Sequence, residues 1–157
     1  MDASLGNKSY VFTSGYGYSK KRCQTIATWF INQYFPKHKL TIDIIHRGLI
    51  REGSYGFLDC VGSQSVPRQF ELLLQSNLNE LEYTKTLLHE LVHMKQWIEG
   101  SLRLKSGKFH WKGINVSNVD YYSQPHEKEA FRMEETLYNR YVFDIFGVWL
   151  DNSVFNS

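Results

Sequence analysis

Residues 89–93 read H-E-L-V-H, two histidines four positions apart with a glutamate directly after the first. On an α-helix, residues four apart lie on one face, so both imidazoles can reach a single metal ion while Glu90 points roughly a quarter turn away. Zinc takes two imidazoles and a third protein ligand and leaves its fourth position to water, from which Glu90 can accept a proton. The pentapeptide therefore predicts a zinc-dependent hydrolase with His89 and His93 as ligands and Glu90 as the general base.

The helix around this motif is predicted to be amphipathic, with the histidines opposite its apolar stripe. The stripe consists of Leu87, Leu91, Met94 and Ile98. Asn79 with Glu82 three residues later predicts a capping box, and Gly100 predicts the end of the helix. A histidine that fills the core is not expected on the polar side, which favours metal binding. The alternative is an ordinary amphipathic helix with two surface histidines.

The chain has 157 residues and is predicted to form a single domain over residues 1–157. Hydrophobic residues make up 42% and aromatic residues 15% of it, which argues against a disordered protein. The net charge of +2 provides no overall field that would attract nucleic acid or an anionic membrane. Only Cys23 and Cys60 are present, which does not fit a secreted disulfide framework or a four-cysteine zinc site.

The remaining periodicity predicts further elements on either side of the histidine helix. These are a helix over 20–34, strands over 40–46, 55–61 and 69–75, a short hairpin around Ser106-Gly107 and a last helix from Pro125 toward Phe146. The basic run 19–22 is interpreted as the solvated first turn of the first helix. This order predicts an α+β fold, in which a small, mostly antiparallel sheet packs on the histidine helix together with N- and C-terminal helices.

Two blocks resemble the zincin metallopeptidases, T-L-L-H-E-L-V-H-M-K-Q at residues 86–96 and P-H-E-K-E-A-F at residues 125–131. The chain is similar to minimal, glutamate-ligand (gluzincin-like) members, in particular to small metallopeptidase-like proteins of bacteriophages and bacteria. In that branch a later helix supplies the third zinc ligand as a glutamate, often three residues before a small residue. The resemblance therefore implies a zincin-like fold, Zn²⁺ as cofactor and Glu127, three residues before Ala130, as the third metal ligand.

The chain also departs from that pattern. The larger members usually place an aspartate after the small residue, where it hydrogen-bonds a zinc-bound histidine, whereas this chain has Phe131. The orienting role is therefore unassigned from the sequence.

Two other residues compete for the third ligand position. Glu129 is two residues from Glu127, about 200° round the helix, so the two carboxylates cannot both face the metal. Glu127 is preferred because it shares its face with Ala130 and Glu134. His110 is loosely similar to the third ligand of SprT-like zincins, although the glycine that follows that histidine is missing here.

The expected function is zinc-dependent hydrolysis of peptide bonds, with a peptide or protein substrate and no clear nucleic-acid or membrane binding. Tyr121, Tyr122 and His126 are candidates to stabilise the oxyanion. A substrate is expected to add as an extended strand to the sheet edge nearest the metal helix, which sequence order predicts to be 69–75.

Two alternatives stay open. One is a non-catalytic zinc-binding zincin fold that serves as a structural or binding module, and the other is a SprT-like, nucleic-acid-associated protease. The sequence shows no basic segment followed by an apolar core at its start and no long apolar run. We therefore expect a soluble cytoplasmic protein, present in the host cytoplasm or the virion if a bacteriophage encodes it.

Overall fold

The computed structural model describes residues 9–49 and 54–147. The strands and helices, in chain order, are β1 (Tyr10–Gly15), α1 (Lys20–Tyr34), β2 (Thr41–Arg47), β3 (Gly56–Val61), β4 (Gln69–Gln75), α2 (Glu80–Glu99), β5 (Leu102–Lys105), β6 (Lys108–Trp111), β7 (Ile114–Asn115) and α3 (Pro125–Phe146), with a short 3-10 helix at Tyr121–Ser123. The predicted α+β class is confirmed, as are the three predicted helices.

The main sheet has four strands in the order β1-β2-β4-β3. β1 is parallel to β2 and β2 is parallel to β4, whereas β3 is antiparallel to β4. The prediction of a mostly antiparallel sheet on the histidine helix is therefore wrong. Strand β1 was not predicted from the sequence, and only Val11 in it is buried. Helix α1 serves as the crossover that the parallel pair of β1 and β2 requires.

The predicted free edge of the sheet is also wrong. β4 has neighbours on both sides, β2 and β3, so the edge strand near α2 is β3. Along β4, Phe70, Leu72 and Leu74 are buried and Glu71 is exposed, so this strand has one face in the core.

The core lies between the sheet and the helices α1 and α2. It includes the fully buried residues Ile26, Phe30, Ile42, Ile44, Phe70, Leu72, Leu87 and Leu91. Leu91 and Met94, from the predicted apolar stripe of α2, are fully buried, and Ile98 of that stripe is partly buried against this core. Within the described ranges, no helix combines the length and the apolar composition needed to cross a bilayer.

The helix ends follow the local signals in the sequence. Asn79 Oδ1 accepts a hydrogen bond from the Glu82 backbone N–H at 2.8 Å, and α2 ends at Gly100 with φ of 85°. Ser19 caps α1 in the same way, because its hydroxyl accepts from the Arg22 N–H at 3.2 Å. Pro125 occupies the first turn of α3, where its missing N–H costs no hydrogen bond.

A second, three-stranded antiparallel sheet, β5-β6-β7, follows α2. The predicted hairpin is confirmed: Lys105 pairs with Lys108 across a two-residue turn. Ser106 and Gly107 have φ of 51° and 76°, the left-handed pair that a tight hairpin turn requires. The hairpin places Leu102 beside the end of α2.

Candidate metal and catalytic site

The two motif histidines meet the first turn of α3 in the interior of the protein. His89 Nε2 lies 3.0 Å and His93 Nε2 lies 3.1 Å from the same oxygen, Glu127 Oε1. The three residues are only 5%, 7% and 7% exposed, in that order. One ligand atom from each lies within 4.8 Å of the others, so the cluster could hold a metal ion.

The second nitrogen of each ring is held by another side chain. His89 Nδ1 lies 2.8 Å from Glu134 Oε1, and His93 Nδ1 lies 2.8 Å from Gln96 Oε1. Because both partners are oxygen acceptors, each Nδ1 carries a proton toward them, and each Nε2 turns toward Glu127. Such outer contacts fix the orientation of histidines that ligate metals.

The orienting carboxylate is supplied by Glu134, for which no role was predicted from the sequence. Phe131 occupies the position where the larger zincins usually have an aspartate, and its ring packs edge-on against the ring of His89, with 4.5 Å between the ring centroids. Glu134 lies seven residues after Glu127, two turns along the same face of α3. The helix phase was therefore the signal that could have identified it.

The two rival third-ligand residues lie elsewhere. Glu129 Oε1 accepts a hydrogen bond from Gln96 Nε2 at 3.0 Å, on the far side of the amide that orients His93. His110 lies in β6, where its Nδ1 is 3.0 Å from the Lys108 carbonyl oxygen. Among the described residues, neither contributes a ligand atom to the cluster of His89, His93 and Glu127.

The charges in the cluster compensate one another across short contacts. Burial lowers the pKa of His89, but hydrogen bonds with Glu127 and Glu134 outweigh this and raise it to about 9. Burial alone would raise the pKa of Glu127, yet the hydrogen bonds from His89 and His93 hold it well below its usual range. His89, His93 and Glu127 form a donor set that suits a divalent cation, and Glu90 and Glu134 add two further carboxylates beside it.

Glu90 is 7% exposed and lies against the edge strand β3. A Cβ placed on Gly56 would be 2.9 Å from Glu90 Cγ and 3.1 Å from Glu90 Oε2. Burial raises the pKa of Glu90, and the neighbouring His93 and His89 lower it in part. Only a glycine at position 56 lets the strand and this carboxylate approach so closely, and no local sequence signal indicates this contact.

The cluster opens into a cleft of about 990 Å³. Its boundaries are the edge strand β3, helix α2, the β5–β6 hairpin, the 3-10 helix and the start of α3. The catalytic glutamate proposed from the sequence and the three ligand candidates all line this cleft. The candidate metal site therefore lies in the wall of a cleft that β3 helps to form.

The three oxyanion candidates occupy different positions. Tyr121 lines the cleft, and burial together with the charges of the nearby Glu127 and Glu90 raises its pKa. Tyr122 lines the cleft but is 69% exposed. His126 is buried, its Nδ1 finds no hydrogen-bond partner among the described residues, and burial lowers its pKa to about 4.

Comparisons of the chain with protein-family models, with curated proteins and with solved structures find no match. A functional conclusion therefore depends on the residues and distances of this site.

Proposed function

We propose that this protein is a zinc-dependent metallopeptidase of the minimal zincin type, with His89, His93 and Glu127 as zinc ligands. The observation that carries the proposal is the convergence of His89 Nε2 and His93 Nε2 on one Glu127 oxygen, at 3.0 and 3.1 Å. Two imidazoles and one carboxylate are a ligand set that zinc takes in hydrolytic sites. A zinc ion held there would polarise the peptide carbonyl and lower the pKa of a water molecule.

Glu90 would act as the general base. It directly follows His89 on α2, lines the cleft and is held between the helix and β3. From this position its carboxylate accepts a proton from the attacking water and returns it to the leaving amine. Tyr121 would donate its hydroxyl hydrogen to the carbonyl oxygen as negative charge develops there.

Among the described strands, none pairs with the outer edge of β3, and this edge would hold the substrate backbone. The Gln75 N–H donates to the Tyr55 carbonyl oxygen at 2.8 Å, and the alternation of antiparallel pairs then turns the N–H and C=O of Gly56 and Leu58 away from β4. The Ser54 hydroxyl contacts both groups of Gly56, at 3.2 and 2.7 Å. A peptide that adds to this edge must replace Ser54 and then runs past Glu90.

The test measures zinc content and hydrolysis in the same protein samples. The parent purified without chelator should carry about one zinc per chain, and the double variant His89→Ala, His93→Ala should lose it. Glu90→Gln should keep its zinc and lose about 10²–10⁴-fold in the rate of cleavage of an unfolded protein substrate. Glu135→Gln makes the same chemical change at an exposed position of α3 and serves as the control.

Two results would contradict the proposal. One is a Glu90→Gln protein that cleaves as fast as the parent. The other is a zinc-loaded parent that cleaves nothing in a broad peptide library, which would identify a non-catalytic zinc-binding module instead.

A further inference from the structure

One wall of the cleft is a continuous aromatic surface that begins at His89. The His89 ring contacts Phe131 at 4.5 Å between centroids, Phe131 contacts Tyr122 at 5.8 Å, and Tyr122 contacts Tyr121 at 5.0 Å. Phe131, Tyr121 and Tyr122 are 40%, 47% and 69% exposed. We call these three residues the outer wall. Large rings that remain this exposed beside a buried site are typical of surfaces that bind a ligand.

A second set of rings begins at His93 and is more deeply buried. His126 lies 5.7 Å from His93 between centroids, and Phe109 lies 5.5 Å from His126. Trp97 and Leu102 also line this side of the cleft and are 4% and 2% exposed. We call Trp97, Leu102, Phe109 and His126 the inner wall. The cleft is therefore apolar on both sides of the candidate metal site.

With a zinc ion bound, His89 and His93 would be neutral ligands, and carboxylates would dominate the charge of the cleft. Among the described residues that line the cleft, none is a lysine or an arginine, whereas Glu90, Glu127 and Glu134 are acidic. The combined negative charge of these three carboxylates exceeds the positive charge of one divalent ion. A negatively charged side chain in the cleft would therefore meet repulsion and find no lysine or arginine among the described lining residues to pair with.

We propose that the site takes extended peptides with large apolar side chains on both sides of the bond nearest the candidate metal site and rejects acidic side chains. The inference rests on the proposed function and names its substrate class. A substrate side chain that binds on the outer wall keeps one face in solvent, which suits an aromatic ring. A substrate side chain that binds on the inner wall is enclosed. Such segments are buried in folded proteins, so unfolded chains are the expected source.

The first test measures binding without cleavage, on the zinc-loaded Glu90→Gln protein. The probes are four blocked octapeptides that differ only in their central pair, which is Leu-Phe, Ser-Ser, Lys-Lys or Glu-Glu. Calorimetry should show that the Leu-Phe peptide binds about 10- to 100-fold more tightly than the Ser-Ser peptide, because it buries two large apolar side chains. The Glu-Glu peptide should bind most weakly. Equal affinities for all four peptides would overturn the inference.

A second test removes one ring of the outer wall. Tyr122→Ser, made in the Glu90→Gln background, should weaken binding of the Leu-Phe peptide about fivefold or more and leave the Ser-Ser peptide nearly unchanged. Tyr16→Ser is the matched control, because Tyr16 is 58% exposed and lies outside the cleft. An equal effect of both substitutions on binding would contradict the assignment of the outer wall.

Cleavage by the parent protein separates this inference from the proposed function. If the Leu-Phe peptide binds preferentially but the zinc-loaded parent leaves every peptide intact, hydrolysis is wrong and the apolar binding site stands. If the parent cleaves all four peptides at the same rate, hydrolysis stands and the preference is wrong.

Discussion

Replacing Gly56 with alanine should displace the general base without disturbing the metal ligands. The added Cβ would lie 2.9 Å from Glu90 Cγ and 3.1 Å from Thr86 Cγ2. Carbon atoms in contact prefer a separation of about 3.5–4.0 Å, so the strand and the Glu90 side chain must separate by about 0.6–1.1 Å. β3 is held by its pairing with β4, and Glu90 is held by α2, so neither partner can move freely.

The displacement has a calculable consequence for catalysis. A misplacement of about 1 Å at a reacting group can lower the rate about 10²-fold, so Gly56→Ala should reduce kcat/KM about 10- to 100-fold. Zinc content should stay at the parent level, because the three atoms nearest to the added Cβ belong to Glu90 and Thr86 and not to a ligand residue. The assay pairs elemental analysis with cleavage of a fluorogenic peptide.

Gly48→Ala is the matched control for this experiment. A Cβ at Gly48 would meet only the Tyr16 hydroxyl, at the ordinary distance of 3.7 Å. Gly48→Ala makes the same glycine-to-alanine change in the unfolded chain, and it should leave the rate of cleavage unchanged. If Gly56→Ala keeps full activity, or loses zinc in parallel with activity, Gly56 does not act by positioning Glu90.

Three further results are expected. Glu134→Gln should weaken zinc affinity about 10- to 100-fold in competition with a chelator, whereas Glu135→Gln should not, because only Glu134 holds His89 Nδ1. Zinc at 100 times its Kd should stabilise the fold by about 2.7 kcal/mol, so a chelator should lower Tm and added zinc should restore it, and an unchanged Tm would argue against a bound ion. Burial raises the pKa of the Cys23 thiol to about 11, so a thiol reagent at neutral pH should modify Cys60 first and Cys23 only on unfolding, as mass spectrometry would show.

The helices could be predicted from the sequence because their ends are set by neighbouring residues. Asn79 caps the first turn of α2 and Gly100 caps its last turn, each within a few residues of chain. Ser19 caps the first turn of α1. The hairpin turn at Ser106-Gly107 is local in the same sense. In each case the residues that decide the structure lie next to one another in the sequence.

The partners of the strands could not be predicted in this way. The alternation of β4 indicates a strand, but not that β2 and β3 lie on either side of it. Gly56 presents the same difficulty, because its importance comes from Glu90, which lies on a different element. Contacts between distant segments decide both features, and a local pattern carries no information about them.

The phase of α3 connects the core of the protein to the choice of the third ligand. Leu137 and Tyr141 are 5% and 4% exposed and pack this helix into the core. Spacings of three and four residues continue the same stripe toward the N-terminus through Glu134, Ala130 and Glu127. The stripe changes from apolar to acidic where it reaches the two histidines of α2. Packing far from the site therefore turns position 127 toward His89 and His93 and leaves position 129 to one side.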